Sequence, residues 1–150
     1  MRLLHAAALL SLILTGAIFG FFYAWVCSTM WGLDQTDPVV AITAMQAMNA
    51  SVRNLAFLPA FFFTAPVLLI TATLAWWQQR RVSAGFFLAA GMVYGLGGFL
   101  LTALINVPLN DALAQVSPAN VADAGAIWRE YSGNWQFWNT VRTINSGLAL

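Results

Sequence analysis

The sequence predicts an all-α integral membrane protein, a four-helix bundle with amphipathic helical segments in its two outer connections. Two observations carry this. Hydrophobic types make up 61% of the 150 residues and charged types only 7%, whereas a soluble domain uses about 25% charged residues to cover its surface. The charges are also segregated: none lies between Arg2 and Asp34, between Arg53 and Arg80, or between Arg81 and Asp111. Each gap exceeds the roughly 20 apolar residues that cross a hydrocarbon core about 30 Å thick, where backbone groups must be satisfied within the segment. No repeat is visible, and a single domain over residues 1–150 is expected.

The spans are placed near Leu3 to Met30, Leu55 to Gln78 and Gly85 to Ile105. A fourth, from Trp135 to Leu150, is short and interrupted by Arg142, so it must start in the outer interface to reach the opposite surface. The apolar run of the first span continues through Phe19, Phe22 and Trp25 beyond any signal cleavage point, so an uncleaved membrane helix is expected. Arg2 shares one side with the Gln78-Gln79-Arg80-Arg81 turn, while all five acids fall in the two longer connections. By arginine placement both termini are expected in the cytoplasm, with the protein in the plasma or inner membrane.

In the first connection, Asp37-Pro38 reads as an N-cap followed by proline at the first helical position. The helix from Val39 is expected to run through Asn54 into the second span, with Gln46, Asn49 and Arg53 on one face. In the second connection, Pro108 is expected to stop the third helix, and Asn110 or Asp111 to cap a short helix through Val116. Ser117-Pro118 is then expected to start the last helix. Along it Trp128, Tyr131, Trp135, Trp138, Arg142 and Asn145 alternate spacings of three and four, a stripe facing the other helices. Gly16-Ala17-Ile18-Phe19-Gly20 and Gly91-Met92-Val93-Tyr94-Gly95 are small-xxx-small patterns. They predict close packing of spans one and three, with a homo-oligomer seam as the alternative.

Several chemistries are excluded by content. Six arginines without a lysine make no nucleic-acid footprint. One His and one Cys, with acids that show no clustered spacing, make no metal site, and no cofactor is expected. Glycine-rich phosphate loops are absent. What remains is a set of amides, arginines and aromatics at the outer helix ends. Arg142 leads it, because a charge inside a span costs about 2.5–3.5 kcal/mol on insertion scales and usually faces a polar interior. Asn139 and Asn145 are local candidates for its partner, and at least one carbonyl or carboxylate is expected to reach it from the Asn106 to Asp111 connection or from the Asn49 helix. Trp128, Trp135 and Trp138 read either as an interfacial belt or as the walls of a cavity.

Met45-Gln46-Ala47-Met48-Asn49, Asn106-Val107-Pro108-Leu109-Asn110, and Trp128 to Tyr131 with Trp135-Gln136-Phe137-Trp138-Asn139-Thr140-Val141-Arg142 carry a resemblance over nearly the whole chain. The sequence resembles the small four-helix membrane family, largely of unknown function, that includes the anthrone oxygenases of polyketide pathways. The resemblance implies a four-helix membrane fold and oxidation of an aromatic substrate by dioxygen. An anthrone has an acidic methylene whose carbanion-enolate reacts directly with dioxygen, so the protein must supply a slot, an oxyanion donor and a proton acceptor. In that reading Trp135 and Trp138 form the slot, and Arg142 with Asn106 or Asn139 holds the oxyanion. Tyr131 or Asp111 moves the proton, while Trp128, Gln46, Asn49, Arg53 and Asn110 contact substrate. The alternative is a non-enzymatic membrane protein that binds a quinone, lipid or small aromatic compound, or serves as an accessory subunit.

Overall fold

A computed structural model of the protein describes residues 2–118 and 122–150. Among the described residues the chain forms five helices: α1 Arg2–Asp34, α2 Pro38–Ser51, α3 Phe57–Trp77, α4 Arg81–Ala114 and α5 Ala124–Ala149. Three of them, α1, α3 and α4, are long and apolar enough to cross a membrane. Their outward side chains include Leu9 and Ile13, Phe63 and Ile70, and Phe86 and Leu104. Such a surface suits hydrocarbon and would aggregate in water. The chain is a membrane protein.

The four long helices close a ring in which α1 packs on α3 and α5, and α4 packs on the same two neighbours. The glycine pattern of the third span therefore serves a different seam from the one expected. A Cβ on Gly91 would lie 2.9 Å from the Leu69 side chain of α3, and one on Gly95 would meet Ala65 at 3.9 Å. Gly16 of α1 faces Leu150 of α5 instead. On the α4–α5 seam the Asn145 side chain fills the place of a Cβ at Gly97, with Cγ only 2.3 Å from that position. Buried hydroxyls bond to carbonyls one turn back, as Thr64, Thr71, Thr143 and Ser146 do. Ser11 of α1 and Thr71 of α3 also meet at 3.0 Å, and in this way polar groups are satisfied without water.

Asp37 caps α2 as expected, its carboxylate accepting from the Val39 and Val40 amides at 2.9 and 3.3 Å. Beyond that the connections differ from the sequence reading. The α2 helix stops at Ser51 and does not run into α3. Asn54 breaks the path, donating to the Ser51 carbonyl at 2.7 Å and accepting from the Ala56 and Phe57 amides at 2.8 and 3.0 Å. Its short amide competes successfully with continued helix. Pro108 does not stop α4, which continues to Ala114. The proline follows a π-helical turn, Thr102–Asn106, and sits in the first turn of the regular helix beyond it, where its missing donor does least harm. The last helix begins at Ala124 after the Asp123 N-cap, whose carboxylate accepts from Ala126 N at 2.7 Å. A start at Ser117-Pro118 is not what caps it, and residues 119–121 lie outside the described residues. At its other end α5 reaches the level of Ala8, Leu12 and Gly16 on α1, well short of Arg2.

The turn between α3 and α4 closes with Gln79 at φ 61°. Arg80 N donates to the Ala75 carbonyl at 2.9 Å and Gln79 N to that of Trp76 at 3.0 Å, the paired bonds of a left-handed helix terminator. Arg81 stacks its guanidinium over Trp76 at 3.7 Å. Two further π-helical turns, Trp25–Thr29 in α1 and Gly95–Leu100 in α4, flank the region described next.

Candidate functional site

The buried face of α5 runs through Trp128, Tyr131, Ser132, Trp135, Asn139, Arg142 and Thr143. It meets three polar layers.

At the end of the bundle away from Arg2, Asp34 closes α1 by accepting from Trp128 Nε1 at 3.0 Å, Ser132 Oγ at 2.6 Å and Gln136 Nε2 at 2.8 Å. Those three donors lie four residues apart, one turn after another along α5. The next layer centres on Asn110. Its Oδ1 accepts from Tyr131 OH at 2.8 Å and Trp135 Nε1 at 2.9 Å, and Asn49 Nδ2 donates to the same phenol at 3.4 Å. Gln46 Nε2 donates to the carbonyls of Leu113 and Val116 at 2.8 and 2.9 Å, so α2 holds the end of α4. Arg53 pairs with Asp111 at 3.1 Å in the open, the two side chains being 66% and 59% exposed. Burial raises the Tyr131 phenol above its ordinary value, against smaller opposing effects of the Asn49 hydrogen bond and the Arg142 charge. Its hydroxyl keeps its proton and donates it to Asn110.

The deepest layer holds Arg142, 5% exposed. Its Nε donates to Asn139 Oδ1 at 2.8 Å and its Nη1 to Thr102 Oγ1 at 3.2 Å. Asn139 is one of the two local candidates, whereas the partner expected in the 106–111 connection or on the Asn49 helix is not the one found. Thr102 takes that place because the π-helical turns of α4 carry its hydroxyl to the α5 seam, and the hydroxyl donates onward to the Gly98 carbonyl at 2.6 Å. Asn139 in turn donates to the Phe22 carbonyl at 3.2 Å. The guanidinium carbon lies 4.3 Å from the Phe22 ring centre and 5.0 Å from that of Trp135, positions in which a ring quadrupole attracts a cation. Among the described residues the only ion pair is Arg53–Asp111, so no carboxylate neutralises Arg142. Asn106 is fully buried, and neither its Oδ1 nor its Nδ2 has a partner.

Arg142 and Trp135 border a cavity of about 470 Å³. Its other walls come from Phe21, Phe22 and Trp25 of α1, Met48, Asn49, Val52 and Arg53, Phe57, Leu58, Phe61 and Phe62 of α3, and Thr102, Val107 and Asn110 of α4. The space is a mostly apolar slot, rich in aromatic rings, that also takes lining from two arginines and two amides. Of the residues singled out from sequence, Asn49, Arg53, Asn110, Trp135 and Arg142 share this lining. Asn139 and Tyr131 stand behind it as hydrogen-bond partners. Asp111 is exposed beside Arg53, and Gln46 and Trp128 are engaged in clamping helices. Trp138 lies off the buried stripe, half-buried with its ring on Phe137 at 5.1 Å, because the inward path follows Trp135, Asn139 and Arg142 instead.

Thr102, Phe22, Trp25, Phe57 and Asp34 were not singled out by sequence. The spacing of Trp128, Ser132 and Gln136 is a signal that an acceptor faces them. Among the described residues no three of His, Cys, Asp and Glu gather as metal ligands.

These features define a helical membrane protein with a buried, acid-free cation beside an aromatic slot. Residues 53–150 match the family model described as anthrone oxygenase, and the chain belongs to that family. No curated protein and no solved structure matches it.

Proposed function

We propose that the protein is an anthrone-type oxygenase, built as a membrane four-helix bundle of one domain with the Arg2 and Arg80-Arg81 end in the cytoplasm of a plasma or inner membrane. Its substrate is a planar polycyclic ketone carrying an acidic methylene. The methylene gives one proton to water at the outer mouth and becomes a carbanion-enolate. The carbanion attacks dioxygen, the peroxide anion takes a proton back from water to become a hydroperoxide, and this loses water to leave a carbonyl. The carbon is oxidised from methylene to ketone, one oxygen atom enters the product and the other leaves as water.

The observation that carries this reading is Arg142. A guanidinium without a carboxylate partner, bordering an apolar slot, stabilises an enolate oxygen as charge develops on it. Two of its nitrogens are held by Asn139 and Thr102, which leaves Nη2 for the ligand and fixes its direction. Phe21 and Phe57, the half-buried rings of the lining, give the ring system its stacking faces, and Asn110, already carrying Tyr131 and Trp135, keeps Trp135 in place. The reaction as written needs no cofactor from the protein.

The test is oxygen uptake by protein in lipid nanodiscs, given 1,8-dihydroxy-9-anthrone in the presence of a chelator. Arg142→Met should lower kcat by about 10²–10³ while affinity changes little, as expected for a donor that acts in the transition state. Thermal unfolding of the variant controls for loss of the bundle. A wild type that binds the anthrone without consuming oxygen defeats the enzyme reading and leaves a ligand-binding protein.

A further inference from the structure

The seam between α3 and α4 changes character along its length. In its inner half the helices are in close contact, with Gly91 against Leu68 and Leu69 and Gly95 near Ala65. At the next level Phe61 and Phe62 pack on Phe99 with ring centres 5.1 and 5.6 Å apart. Beyond that level the Arg142 cavity takes lining from both helices, Leu58 and Phe62 on one side and Thr102 and Val107 on the other. Phe62 is 50% exposed and Val107 36% exposed. Both belong to helices of membrane length, and Phe62 lies about 7.5 Å inward from the start of α3 at 1.5 Å per residue. The surroundings of this opening are therefore hydrocarbon near the outer headgroups.

We propose that the ligand reaches Arg142 sideways from the outer leaflet, between α3 and α4 past Leu58, Phe62 and Val107, and that its class is a membrane-dissolved planar aromatic. This rests on the anthrone reading of the cavity and adds its route. A flat ring system partitions into the upper acyl region and keeps its oxygens near the headgroups. It slides edge-on past the Phe62 ring and meets the aromatic walls before its oxygen reaches the guanidinium. The water-facing side of the same cavity carries the Arg53–Asp111 pair and Asn49. Those groups suit passage of a proton and water, and stacking contacts for a ring are absent among them.

The experiment measures 1,8-dihydroxy-9-anthrone binding to protein in lipid nanodiscs without oxygen, by quenching of tryptophan fluorescence after rapid mixing. Both residues also line the cavity, so the association rate is the readout, since lost wall contacts act mainly on dissociation. Val107→Phe narrows the opening and should slow association by about tenfold, and Phe62→Ala widens it and should speed association, whatever the accompanying change in Kd. Thermal unfolding checks that each variant is folded, and either variant alone decides the matter. Rates that stay at the wild-type value, or a changed Kd with unchanged association, overturn the lateral route while leaving the cavity's function standing. A wild type that does not bind this anthrone overturns the underlying reading, and the route with it.

Discussion

Thr102 and Arg142 face each other across the α4–α5 seam, hydroxyl to guanidinium, at 3.2 Å. The threonine oxygen accepts there, as a guanidinium can only donate, and its own proton goes to Gly98 O. A neutral oxygen, not a carboxylate, thus sets the direction of the buried cation, which leaves the charge available to a ligand.

Thr102→Val keeps the side-chain shape and removes that acceptor. The guanidinium then keeps its Asn139 bond alone and swings. Oxygen uptake with an anthrone should fall by about one to two orders of magnitude, since small misplacements of a positioned group are costly. Stability should also fall, by about 1–3 kcal/mol for the stranded guanidinium donor, so turnover is compared at a temperature where both proteins are folded. Retained full turnover would show that Thr102 does not orient Arg142.

Asn110 should matter more to folding than either of its donors. Asn110→Leu strips the acceptor from both Tyr131 OH and Trp135 Nε1, and each stranded donor costs about 1–3 kcal/mol. Tyr131→Phe removes one donor and leaves Asn110 bonded to Trp135, so a loss near 1 kcal/mol is expected. Thermal unfolding in one detergent should rank Asn110→Leu clearly below Tyr131→Phe, and an equal or reversed order would refute the shared-acceptor account.

Tyr131 also yields a pH signature. Its folded pKa is raised by burial, so the folded state holds the phenolic proton more tightly than the unfolded chain. Its contribution is fully present below the unfolded value of about 10 and is lost as pH rises above it. Wild-type thermal stability should therefore decline more steeply than that of Tyr131→Phe between about pH 9.5 and 11. Parallel curves would mean that the phenol ionises as freely folded as unfolded.

Gly97→Ala places a methyl group where Asn145 Cγ approaches to 2.3 Å. Overpacking of this kind typically costs about 1–3 kcal/mol. Asn145→Ala in the same chain should restore most of the loss, and a double-mutant cycle without coupling would refute the contact.

Much of the fold is legible in composition, because lipid demands long charge-free helices and the charge gaps mark α1, α3 and α4. The Asp37-Pro38 start of α2 is equally plain, as side-chain capping is local chemistry. Asn54 illustrates the opposite case. Its amide fits a helix interior or a terminator, and only the turn into α3 decides between them. Pro108 misleads because a π-helical turn leaves no mark in periodicity yet changes what a proline may follow. For the site, Arg142 stands out on energetic grounds, and the shared face of Gln46 and Asn49 follows from spacing, whereas Arg53 falls past the end of α2 at Ser51 and leaves that face. Thr102 does not stand out, since hydroxyls that bond to their own helix are common in membrane spans and sequence cannot tell which one also turns outward. Trp138 is the reverse: its position in a three-four series is real, but the helix turns it to the edge.

A π-helical turn amounts to an α-helix with one residue added, and each such turn resets the angular phase of all that follows. The turns over Gly95–Leu100 and Thr102–Asn106 thus decide which compass direction Thr102, Asn106 and Asn110 face, independently of how the inner half of α4 seats on α3. Deleting a single residue within 95–101 would rotate everything beyond by about 100°, carrying Thr102 from the guanidinium toward lipid without touching a hydrogen bond of the inner seam. Ligand chemistry and membrane anchoring in α4 are accordingly separable by one insertion or deletion, a short mutational path between a charged slot and an inert helical bundle.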